Sequence, residues 1–89
     1  MTDILGEIRG ILKENLAVLG EQRTLKLLRA GKLKKVFVAA NVSSFVKEDL
    51  RRYGQLSNVA VVDLTLSNEE IGVLCKKPFL ISVIGVKSE

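Results

Sequence analysis

The sequence predicts a single α/β domain over residues 1–89, a three-layer α-β-α sandwich around a four-stranded sheet, mostly parallel or mixed. Three observations predict it. Segments with apolar residues at helical spacing alternate four times with short apolar runs, and only a few residues separate them. Residues 36–40 and 59–62 are almost unbroken in apolar character, as strands covered on both faces are.

Thr2 or Asp3 suits the cap of a first helix whose apolar residues Ile4, Leu5, Ile8, Ile11 and Leu12 share one stripe, and Glu14 and Asn15 end it. Leu16 to Leu19 is too brief for a helix and reads as a buried strand. Gly20 turns the chain into a second helix, about Glu21 to Ala30, with Leu25 and Leu28 inward, Lys26 and Arg29 outward, and Gly31 placed for a left-handed C-terminal cap. A basic linker, Lys32 to Lys35, then enters a second strand, Val36 to Ala40. Ser43 or Ser44 suits the cap of a third helix to about Leu56, with Phe45, Val46, Leu50, Tyr53 and Leu56 as its apolar positions and Gly54 near its end. Val59 to Leu64 is the third strand. Ser67 with Glu70 three residues on makes a capping box for a fourth helix through about Cys75. Pro78 stops that helix, and Leu80 to Val86 is the last strand.

A chain of 89 residues buries somewhat over roughly 60% of its unfolded surface, enough for one core. With 47% hydrophobic but only 4% aromatic residues, that core is aliphatic. The apolar runs are too short to cross a bilayer, and the charged first ten residues do not read as a secretory leader. Cys75 is alone and His is absent, which excludes an internal disulfide, thiolate or histidine zinc sites and histidine acid–base chemistry. A cytoplasmic setting with no cofactor, no membrane and no small-molecule substrate is the expectation.

Charge is the informative quantity. The formal net charge is +4, but the sixteen residues from Gly20 to Lys35 hold six cations (Arg23, Lys26, Arg29, Lys32, Lys34 and Lys35) against Glu21 alone. The rest of the chain carries eight basic and nine acidic side chains, so the whole excess lies in one segment. One-sided segments of this kind are more often footprints for polyanions than solvated faces, which usually mix their signs.

Catalytic motifs are missing. The turn at Gly20-Glu21-Gln22-Arg23-Thr24 has one glycine and matches neither a dinucleotide fingerprint nor a P-loop. Asp63 is the only acid near a strand end, too few for a phosphoacceptor site. Cys75 has Lys76 and Lys77 beside it but no His, so a buried structural thiol is the reading, and Ser43, Ser44 and Ser67 read as caps. An enzyme is not expected.

Four ordered stretches carry a resemblance: Leu19-Gly20 through Thr24 and Lys26 to Leu28-Arg29-Ala30-Gly31-Lys32; Val36 to Asn41 (VFVAAN); Lys47-Glu48-Asp49-Leu50 with Tyr53 and Leu56-Ser57; and Glu70-Ile71-Gly72 with Lys77-Pro78-Phe79. Together they resemble the kink-turn RNA-binding superfamily of ribosomal proteins, in its archaeal and eukaryotic L-thirty-e branch. The L-seven-Ae branch usually shows an Asn-Glu pair after the first glycine. The resemblance implies a structural protein of the large ribosomal subunit that binds a sharply bent rRNA element, with rRNA and neighbouring ribosomal proteins as partners. It implies that Gly20 lets the backbone approach RNA, that Gln22, Arg23, Thr24 and Lys26 face the bent groove with Arg29 beside them, and that Asn41 contacts RNA from the next loop. Lys77, Pro78 and Phe79 would pack an extruded nucleotide, Phe79 stacking on it, next to Lys76. Gln22, Arg23 and Lys76 depart from the usual pattern, Lys76 standing where glycine is commoner.

The residues alone leave other readings open: Phe79 in the core, Asn41 in a local turn, Gly20 as a plain helix-start glycine, Lys26 and Arg29 solvated, Gly72 needed for packing. Other functions also stay open: a kink-turn protein of a guide-RNA particle or RNase P, a basic module meeting an acidic protein, or a small-ligand enzyme domain. Lys87, after the last strand, reads as an ordinary surface lysine.

Overall fold

Three amide contacts bring the ends of all four strands to one edge of the sheet. Gly20 N–H donates to the Val83 carbonyl (3.1 Å), Ala39 N–H to Ser82 (2.8 Å) and Leu64 N–H to Val38 (2.8 Å). The computed structural model describes residues 4–88, in the order α1 (Ile4–Lys13), β1 (Ala17–Leu19), α2 (Glu21–Arg29), β2 (Leu33–Val38), α3 (Ser44–Ser57), β3 (Ala60–Asp63), α4 (Asn68–Leu74), β4 (Val83–Lys87). The expected cap at Thr2 or Asp3 and the side chains of Ile4 and Leu5 lie outside what is described.

The sheet order is β1-β4-β2-β3, with β2 and β3 parallel and β4 antiparallel to both its neighbours. Of the expected "mostly parallel or mixed" sheet, the mixed form is the one found. Alternation along β2 divides the core. Phe37 and Ala39 pack with Ile8, Ile11 and Ile71 from α1 and α4, while Val36 and Val38 pack with Leu28 and Leu50 from α2 and α3. Each fully buried Val, Leu or Ile contributes about 1.5–3 kcal/mol, so both layers are held chiefly by aliphatic burial.

All four helices end in the same way. A residue in the left-handed region follows each one (Asn15 φ 60, Gly31 φ 70, Asn58 φ 59, Lys76 φ 57). The next amide reaches back to a carbonyl five residues earlier: Leu16 to Ile11, Lys32 to Leu27, Val59 to Gly54 and Lys77 to Gly72. At the other end of α4, Ser67 and Glu70 form the expected capping box, while Ser43 accepts from Val46 N–H to cap α3.

Three local expectations need correction. The second strand begins at Leu33, not Val36, so part of the supposed basic linker is strand. Leu33 is buried opposite Lys87, the pairing slips between Leu33 and Lys35, and Lys35 turns toward α1, where its Nζ meets Glu7 Oε1 at 2.7 Å. On the third helix, Phe45 and Leu56 are 81% and 78% exposed, because the buried stripe runs through Val46, Leu50, Tyr53 and Gly54. The last strand starts at Val83 rather than Leu80, which lies exposed in the preceding loop.

Candidate nucleic-acid interface

Because β1, β2 and β3 all run toward the shared edge, α2, α3 and α4 all begin there. A helix's first N–H groups have no intrahelical partner and carry partial positive charge. At α3 and α4 the Ser43 and Ser67 hydroxyls each accept one of them, and Asn41 accepts the Asn68 N–H. By contrast, α2 has no side-chain cap and leaves its first turn open to an anion. The chain enters α2 through Gly20 at φ 113, ψ 147, a conformation that side-chain-bearing residues rarely adopt. Nothing would crowd a Cβ there, so the glycine is required by its backbone angle and leaves the surface beside it open.

Thr24 does not face outward as the resemblance implied. It is completely buried, its hydroxyl donating to the Gly20 carbonyl at 2.6 Å and its methyl lying against β4 at Gly85. The cause is helical spacing: Thr24 and Leu28, four residues apart, form the buried stripe of α2. Thr24 is therefore a residue that locks the turn after Gly20, not a contact residue.

Gln22, Arg23, Lys26 and Arg29 are exposed on α2. Arg23 and Lys26 line a groove with Lys77 and Phe79 of the loop before β4, with Lys87, and with all three residues of β1. Gln22 lies on the far side of α2, in a shallow depression with Leu25, Lys26 and Arg29. Arg29 leans onto α3, its guanidinium 4.7 Å from the Tyr53 ring centre.

Asn41 makes a two-point tie. Its Nδ2 donates to Asn68 Oδ1 (3.0 Å) and its Oδ1 accepts from Asn68 N–H (2.9 Å). The side chain is exposed, and these bonds hold the loop after β2 against the first residue of α4. In the structure Asn41 positions the edge, with one Nδ2 hydrogen left over.

The loop from Cys75 to Ser82 carries the remaining expected residues. Lys77, Pro78, Phe79 and Leu80 are exposed, and Phe79 at 54% is not a core residue. Gly72 seats this loop: a Cβ there would overlap the Phe79 carbonyl oxygen, which bears out its reading as a packing glycine. Lys76 separates from the others. Its left-handed backbone turns it toward a different groove, between α1 and α4, shared with Arg9 and Lys13. Cys75 is buried, and burial raises its thiol pKa although Lys77 pulls the other way, so it stays a protonated structural thiol.

The cationic segment is thus divided. Arg23 and Lys26 join the Lys77 loop; Arg29 turns to Tyr53; Lys32 and Lys34 sit at the opposite end of α2 and β2; Lys35 pairs with Glu7. Lys87, which the sequence offered as an ordinary surface lysine, belongs to the groove. A signal for it existed: strand alternation places Lys87 on the same face as Gly85, which meets Thr24 and Leu33.

Fold and groove define a class, that of small α/β/α domains whose surface chemistry suits a phosphate backbone. The sequence matches the ribosomal protein L7Ae/L30e/S12e/Gadd45 family over residues 2–89, and the chain belongs to that family. It is 37% identical over 84 residues to "Large ribosomal subunit protein eL30" of Sulfolobus acidocaldarius, covering 94% of this chain and 81% of the relative. Against the protein of the same name from Methanocaldococcus jannaschii the identity is 32% over 87 residues, with 98% and 79% covered. Among solved structures, the Giardia lamblia 15.5kD RNA binding protein superposes with a TM-score of 0.76 over the whole of this chain and 78% of that one. At 17% identity that likeness shows the fold alone.

Proposed function

We propose that this chain is a structural protein of the large ribosomal subunit that binds and holds a kinked rRNA element, without catalysis. The observation that carries the reading is the groove beside the Gly20 turn, which Arg23, Lys26 and Lys77 line together with the half-exposed ring of Phe79. The relatives at 32–37% identity are named as large-subunit proteins, which favours the ribosome over a guide-RNA particle or RNase P.

Each part has a physical role on RNA. Gly20 and the first turn of α2 bring partial positive charge to phosphate with no side chain in the way. A kink opens the groove of an RNA helix, so Arg23 and Lys26 reach phosphates or guanine edges that a regular A-form groove conceals. Phe79, with Lys77 and Pro78, receives an unstacked base, a contact worth about 1–3 kcal/mol. Glu21 opposes phosphate but favours the helix dipole, and it is the one acid in this turn. Neighbouring ribosomal proteins would meet the face on the far side of the sheet.

Titration against a kink-turn RNA and a straight duplex of equal length tests the binding mode. Preference for the kinked RNA by an order of magnitude or more is expected; equal weak binding to both removes shape recognition. Crosslinking in native particles tests the assembly, and recovery of modification-guide RNA in place of rRNA would contradict the ribosomal assignment.

A further inference from the structure

We infer that the RNA contact continues past the kink along the open edge of β1, with Lys87 anchoring its far end on the backbone of the flanking stem. The inference rests on the RNA-binding reading above. In the order β1-β4-β2-β3, β1 pairs with a strand on one side only among the described residues, which leaves its outer edge unpaired there. The groove along that edge has Arg23 and Lys77 among its lining, Lys26 on the α2 wall and Lys87 with Ala17 at the other end of the strand. Lys87 is held in place by its own N–H, which donates to the Leu16 carbonyl at 2.9 Å, just before β1 begins.

Charge and shape together select the occupant. The four cations share the groove with no carboxylate among its lining residues, and none of them has a salt-bridge partner among the described residues. The strand floor is aliphatic, and the one aromatic ring, Phe79, belongs to the loop before β4 rather than to the strand. Away from Phe79 the described lining holds no stacking platform and no amide or carboxylate side chain. Point charges over an apolar floor suit a phosphodiester backbone. Three strand residues span roughly 10 Å, enough to lie along a short stretch of phosphodiester backbone.

Two kink-turn RNAs test this, one with stems ending close to the kink and one with the flanking stems lengthened by half a helical turn. They are titrated over a salt series against the wild-type chain, Lys87→Gln and Lys13→Gln. Lys87→Gln is expected to lose about threefold to tenfold in affinity for the long RNA at 0.1 M salt, with a salt slope shallower by about one. On the short RNA it should match the wild type, and Lys13→Gln should match it on both. If the wild type binds the kink and Lys87→Gln behaves like it on both RNAs, the extension is wrong while the kink reading stands. An equal loss on both RNAs puts Lys87 at the kink itself and likewise overturns the extension. Should the wild type bind neither RNA, both readings fall. Competition by polyglutamate as strong as by the long RNA would assign the groove to an acidic protein partner and overturn the inference.

Discussion

Two grooves on this small domain differ in what they could hold. The one between α1 and α4 is the larger, about 970 Å³ against about 730 Å³, and its floor is apolar, with Leu12, Leu66 and Leu74. Its charges are mixed, Arg9, Lys13 and Lys76 facing Glu69 and Glu70. The groove along β1 is smaller, and every charged side chain among its described lining residues is a cation. At physiological salt a field fades over about 8 Å, so opposite charges within one groove cancel while a one-signed set adds. Size is therefore a poor guide to a polyanion site in this chain, and the sign of the lining charges is the better one.

The comparison breaks most directly under charge reversal. Arg23→Glu with Lys77→Glu should weaken kinked-RNA binding by about 100-fold at 0.1 M salt, because two attractive contacts become repulsive. The matching pair in the other groove, Arg9→Glu with Lys13→Glu, should change affinity by less than about twofold in the same titration. Comparable losses from both pairs would mean that overall charge, rather than the β1 groove, governs binding.

A stability effect comes next. Gly72 lies where α4, a wall of one groove, supports the loop that lines the other. Gly72→Ala forces a methyl into the Phe79 carbonyl and should cost about 1–3 kcal/mol in a denaturant melt. RNA affinity of the folded fraction should fall too, since Lys77 and Phe79 must move. Phe79→Ala separates the two consequences. With the ring half exposed, fold stability should change by less than about 1 kcal/mol, while binding loses about 1–3 kcal/mol by calorimetry. A variant that unfolds with unchanged affinity would return Phe79 to the core.

The smallest effect concerns Lys76, which the resemblance grouped with the RNA loop. Its φ of 57 strains a side-chain-bearing residue, so Lys76→Gly should stabilise the fold by about 0.5–1 kcal/mol. Since Lys76 faces the α1–α4 groove, RNA affinity should stay within about twofold. A larger loss of affinity would join the two grooves into one surface.

Much of the fold was legible because its signals are local. The capping box at Ser67 and Glu70 and the left-handed Gly31 depend on neighbours within a few residues, and both appear as expected. Strand order was not legible, since an apolar run reports burial on two faces but not which neighbour pairs or in which direction. The start of β2 was masked by Lys34 and Lys35, and the reason lies 28 residues away, in the Glu7 carboxylate that accepts the Lys35 ammonium.

The candidate site shows the same division. Gly20, Arg23, Lys26, Lys77 and Phe79 were marked by the family resemblance, the residues alone leaving other readings open, and the structure gathers the last four in one groove beside Gly20. Thr24 was misplaced although its spacing from Leu28 carried the information: a threonine is polar, but on a buried stripe its hydroxyl returns to the backbone. Asn41 could not be separated from a contact residue, because its partner Asn68 is brought to it only by the sheet. Lys87 was passed over because no other cation lies near it in sequence; its groove partners come from α2 and the loop before β4.

Mapping chemical-shift changes across the chain by NMR during titration with a kink-turn RNA tests the central claim most directly. The largest changes are predicted for Gly20 to Lys26, Lys77 to Phe79 and the β1 edge, with Leu12, Leu66 and Val73 undisturbed. Changes centred on Leu66 and Val73, with Arg23 and Phe79 unmoved, would contradict the account.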